Sequence, residues 1–157
     1  MINTLSKTVL VAHLALALSA HASMANASDT KNNTQVRFDG RATTAECRAG
    51  DFQGWVELSA FRHDNIVGYT VNKYKILYSG KSDNETLGHK ANINAFASSQ
   101  TSQTVHSPDA MKQDNNWRQL GLTGLAVANA QGTITGNVEF IFDRSNGSDP
   151  KCNIFIM

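Results

Sequence analysis

The chain has 157 residues, 41% of them hydrophobic and 17% charged, with 14 Lys+Arg against 13 Asp+Glu. A formal charge of +1, carried by scattered rather than clustered basic residues, offers no field to gather phosphate backbones or anionic lipid, which argues against nucleic acid and membrane surfaces as partners.

The N-terminus has the order of a secretory signal: one cation, Lys7, then an apolar run from Val9 to Leu18 broken only by His13, then small residues. Ala20-His21-Ala22 and Ala25-Asn26-Ala27 both fit a small-x-small cleavage site; the second is preferred, giving a signal over 1–27 and one domain over 28–157. A spanning helix needs roughly 20 consecutive apolar residues, about twice what this run supplies, so no membrane anchor is expected after cleavage. No cysteine lies near the cleavage region to carry a lipid. Losing Lys7, His13 and His21 leaves 13 basic against 13 acidic side chains and three of the five histidines, so the exported domain is formally neutral. The expected location is periplasmic or extracellular.

A remainder of about 130 residues can bury a single core. Its two cysteines, Cys47 and Cys152, lie near opposite ends, and an oxidising compartment favours a disulfide between them. Buried thiols or a reactive cysteine are the alternatives, but Cys152 sits inside an apolar strand where a nucleophile is poorly placed. Closing a loop of about 105 residues would stabilise by roughly 4 to 5 kcal/mol on the chain-entropy account.

Along the mature chain, Val36 and Phe38 alternate with Arg37 and Asp39, the period of a half-buried strand. A second short strand runs towards Cys47. Residues 52–61 place Val56, Leu58 and Ala60 on one face and Trp55, Glu57 and Ser59 on the other, and 62–65 should turn. Residues 66–78 are the most β-prone, yet Val67, Tyr69 and Val71 share one phase while Tyr74, Ile76 and Tyr78 share the opposite one. A phase switch requires an extra residue, so a bulge is expected near Asn72 or Lys73 unless two strands meet there.

Residues 79–85 read as a connection of Gly, Ser, Asp and Asn. The strand over 87–97 sets Ala91, Ile93 and Ala95 against Asn92, Asn94 and Phe96. Residues 98–116 are polar and too long for an ordinary hairpin loop; within them Ser107-Pro108-Asp109 offers a helix start, so a helical turn through Gln113 is expected. Strands follow over 117–127, weakened by Gly121 and Gly124, over 133–143 with Val138, Phe140 and Phe142 on one face, and over 151–157. Some eight short strands with at most one short helical turn indicate an all-β fold, an antiparallel β-sandwich or small barrel.

Chemistry-bearing residues are sparse. His63, His89 and His106 have no second metal-ligand residue at a spacing zinc sites use. Asp143, Asn146 and Asp149 put three oxygen side chains in one loop, but Ser148 stands where an EF-hand needs glycine and no bidentate glutamate follows. No nucleophile elbow, phosphate-cradling loop or Cys-His signature occurs, so no catalytic residue, cofactor or metal ligand is assigned.

Binding residues gather on long loops. Trp117, flanked by Asn116 and Arg118 and preceded by His106 and Asp109, combines a stacking face with hydrogen-bonding groups suited to a sugar or peptide; alternatively Trp117 only opens a strand and packs at the core edge. Trp55 raises the same question. These features favour an exported non-enzymatic binding module recognising a carbohydrate or a protein surface. The alternatives are a small secreted hydrolase using His63 or His106 with Asp64 or Asp109, and a surface or fibre structural subunit.

Overall fold

A computed structural model describes residues 33–39, 41–80, 90–145 and 147–157. The expected signal, most of the 79–85 connection, the start of the 87–97 strand, His89 and Asn146 lie outside the described residues. Among the described residues nine strands follow in chain order: β1 Thr34–Val36, β2 Thr43–Ala49, β3 Phe52–His63, β4 Ile66–Tyr78, β5 Asn92–Ser98, β6 Ser102–His106, β7 Arg118–Val127, β8 Thr135–Ile141 and β9 Lys151–Ile156. They form two sheets, β2-β3-β4-β7 and β1-β9-β8-β5-β6, whose buried faces meet in one core. The fold is an all-β sandwich, and no helix occurs among the described residues.

Period-2 patterning builds this core. On β5, β8 and β9, Ile93, Ala95, Val138, Phe140, Cys152 and Ile154 face inward with 0% exposure, while the alternate residues face out, because successive side chains on a strand point to opposite faces. Phe52, Phe142 and Phe140 stack at centroid separations of 5.0 and 5.6 Å, an arrangement worth more than its area alone. The bulge on β4 is Asn72: opposite β3, Glu57 pairs with Lys73 and Leu58 with Val71, and opposite β7 the register shifts between the same residues. One extra residue thus sends both Val71 and Tyr74 into the core.

Both open sides of the sandwich are tied. On one, Cys47 of β2 is bonded to Cys152 of β9, and the Thr34 hydroxyl donates to the Glu46 carbonyl. On the other, the Leu125 and Val127 N–H groups donate to the Gln103 and Thr101 side chains, which occupies edge donors that would otherwise recruit another strand. Across the core, the Tyr69 hydroxyl lies 2.8 Å from the Phe96 carbonyl and 2.9 Å from that of Asn137. Burial holds its phenol well above the usual tyrosine range.

Three expectations change. The first strand ends at Val36 and pairs in parallel with β9, whereas every other strand pairing among the described residues is antiparallel. The polar 98–116 segment contains β6, so it is not one long loop. Nor does it turn helically after Ser107. The Ser107 hydroxyl, instead of capping a helix, accepts from the Ile93 N–H, the Met111 N–H donates to the Ala91 carbonyl, and the Gln113 amide brackets the backbone of Asp143. Residues 107–113 are thereby held against β5 and the loop after β8.

Candidate functional site

The site forms where β7 begins, on the outer face of the β2-β3-β4-β7 sheet. A tight turn precedes it: Asn115 adopts a left-handed φ of 58°, which Asn tolerates better than most residues, and its N–H donates to the Ile76 carbonyl at the end of β4. Asp114 accepts the Asn116 N–H at 3.3 Å and forms a two-point ion pair with Arg118. That guanidinium, followed by lesser hydrogen bonds from Asn116, pulls the Asp114 carboxyl down to about 2, because each partner favours the charged form. Asn116 is committed to the turn, its side-chain amide donating to the Asp114 carbonyl.

The turn delivers Trp117 to the surface. At 45% exposure it is the most exposed large aromatic among the described residues. Next to it on the sheet, Trp55 of β3 pairs with Lys75 of β4, whose Nζ lies 4.1 Å from the Trp55 centroid and 5.6 Å from that of Trp117. Both distances are within cation–π range. The neighbouring cross-strand pair is Glu57 and Lys73, 3.2 Å apart.

Two depressions border Trp117. One, of about 310 Å³, is lined by Glu57, Lys73, Trp117, Arg118 and Gln119. The other, of about 540 Å³, lies at the end of the sandwich and adds Tyr74, Met111 and Lys112 to Trp117, Arg118 and Gln119. Here the Tyr74 hydroxyl accepts the Lys112 N–H at 3.0 Å, and burial raises that phenol's pKa. The surface therefore presents an aromatic ridge with cationic donors, an amide and a carboxylate on its flanks, a combination able to stack a ring and to hydrogen-bond its substituents.

The five residues singled out from the sequence are divided. Trp117, Arg118 and Asn116 stand together, whereas His106 and Asp109 lie against the outer face of the other sheet. There His106 Nδ1 is 2.7 Å from Asn94 Oδ1, Asn94 donates to Glu139 at 2.9 Å, Asn137 donates to Asn153 at 2.8 Å, and Asp109 accepts from Asn92 at 2.9 Å. Phe96 and Phe155 flank this array at 36% and 39% exposure. The Trp117 surface is the stronger candidate, because its aromatic is larger and more exposed, while the side-chain amides of the second face are engaged by neighbouring side chains.

Trp55, Lys73, Lys75, Glu57 and Gln119 were not joined to Trp117 from sequence. The signal was the outward phase of Trp55 and Glu57, which becomes informative only once β4 is known to lie between β3 and β7.

The acid–base pairs considered from sequence have a definite geometry. His63 and Asp64 touch at 3.2 Å on the β3–β4 turn with side chains 86% and 82% exposed, on open surface rather than in a cleft. His106 and Asp109 hold separate partners. Asp143 and Asp149 accept the backbone N–H groups of Lys90 and Arg144, and among the described residues no three His, Cys, Asp or Glu side chains are grouped to hold a metal ion. No protein-family model, curated protein or solved structure matches this chain.

Proposed function

We propose that this protein is an exported binding module whose ligand is a carbohydrate seated against Trp117. The observation that carries this reading is the exposed Trp117 indole standing between two depressions, with Lys73, Arg118, Gln119 and Glu57 beside it. An indole offers a broad apolar face at small entropic cost, and its quadrupole attracts the polarised C–H groups of a sugar ring. The adjoining ammonium, guanidinium, amide and carboxylate supply donors and acceptors for hydroxyls that would otherwise be desolvated without partners. A sheet with a cross-sheet disulfide presents these groups with little ordering left to do on binding, which favours affinity.

Export is supported by the order of the N-terminal residues, and the Cys47–Cys152 bridge is compatible with an oxidising compartment. The test is a glycan array probed with wild-type protein and Trp117→Ala. The reading expects at least one glycan class to bind, with affinity falling about tenfold or more in the variant. A wild-type protein that retains no glycan, or a variant that binds as wild type does, overturns it.

A further inference from the structure

The cations around Trp117 are not equivalent. Glu57 offsets Lys73 and Asp114 offsets Arg118. Lys75 has no carboxylate partner among the described residues; its Nζ rests instead 4.1 Å from the Trp55 centroid and 5.6 Å from the Trp117 centroid. An indole face attracts an ammonium but accepts no directed hydrogen bond of carbonyl strength, so the N–H groups turned away from the rings remain available as donors. Lys112, on the second depression, adds a further cation to the same surface.

From this we infer that the carbohydrate held at Trp117 is a sugar acid and that Lys75 receives its carboxylate. The inference rests on the binding-module reading above and specifies its ligand class. A charge-assisted bond places a carboxylate oxygen about 2.8 Å from the ammonium. With Nζ only 5.6 Å from the indole centre, a sugar held at Trp117 brings a ring carboxylate into the neighbourhood of that ammonium. Trp55 is the positioning residue, since the β3–β4 register sets it directly opposite Lys75 and the cation–π contact restricts the lysine before any ligand arrives. The ordering cost of a long, flexible cation on binding is correspondingly reduced.

The test uses the purified protein with matched pairs: sialyllactose against lactose, and oligogalacturonate against the same oligomer with its carboxyls reduced, with a sulfated galactan as a further anion. At least one carboxylated partner should bind about tenfold or more tightly than its neutral counterpart. Lys75→Met should erase that preference, weakening the carboxylated partner about tenfold more than the neutral one, Lys75→Arg should retain most of it, and raising salt well above the physiological range should shrink it. Unchanged thermal midpoints show that the variants are folded. Equal affinity within both pairs overturns the inference but leaves carbohydrate binding standing. A preference that survives Lys75→Met, or that extends only to the sulfated galactan, also overturns it. Failure of every glycan removes both readings together.

Discussion

Removing the Cys47–Cys152 bridge should cost this fold more than any surface change. The bridge joins residues 105 apart in sequence, for which the chain-entropy relation gives about 4–5 kcal/mol at 25 °C. A small domain holds only about 5–15 kcal/mol in total, so the loss takes about a quarter or more of the stability and lowers the melting midpoint by about 15–20 °C. The structure adds a second term. Both half-cystines are buried, at 1% and 0% exposure, so alanine at both positions also opens a cavity worth on the order of 1–2 kcal/mol. Reduction with dithiothreitol keeps the sulfur volume and isolates the cross-link. Guanidinium unfolding of oxidised protein, reduced protein and the Cys47→Ala/Cys152→Ala variant should therefore rank them in that order of falling stability. A reduced protein within about 1 kcal/mol of the oxidised one would refute the reasoning, and would mean that the denatured chain is already held compact by other contacts.

Other outcomes follow from particular contacts. Tyr69→Phe deprives the part-buried Phe96 and Asn137 carbonyls of their shared donor and should destabilise by about 1–3 kcal/mol in the same unfolding assay. The Tyr69 pKa is raised from 10.0 in the fold, so its protonated phenol contributes fully below pH 10 and progressively less above it; the variant should lack that alkaline component. Asp114 is depressed from 3.8 to about 2, so its stabilisation of the turn is complete above the unfolded value and is lost as pH falls from about 4 towards 2. Because this pair is substantially exposed the stability effect should be small, and a carboxyl NMR titration is the direct check: Arg118→Ala should return Asp114 towards its ordinary value.

Strand phase made much of this fold legible. Val138, Phe140 and Phe142, or Ile93 and Ala95, reveal their inward face because alternation survives wherever one face is wet. The Asn72 bulge was readable for the same reason, since two opposed phases in one run admit few explanations. β6 was hidden because nearly all of its residues are exposed and only Val105 is half-buried; a strand without a buried face leaves no periodic trace. The helix start at Ser107 misled because local capping chemistry was overridden by a long-range partner, the Ile93 N–H.

Of the site, Trp117 and Arg118 were legible as neighbours in sequence. The contribution of Lys75, Trp55 and the Glu57–Lys73 pair depends on strand order and register, which pairwise spacing along the chain does not encode. His106 and Asp109 were grouped with Trp117 because they share a segment, yet that segment crosses from one sheet to the other.

The central claim is that ligand is recognised at Trp117, and the most direct measurement is an NMR titration of the isotopically labelled protein with a glycan retained on the array. The indole N–H of Trp117 and the backbone amides of Arg118, Gln119 and Lys75 should show the largest shifts, with Asn94, Phe96, Glu139 and Phe155 unmoved. Shifts concentrated on that second face, with the Trp117 indole unchanged, would contradict the account.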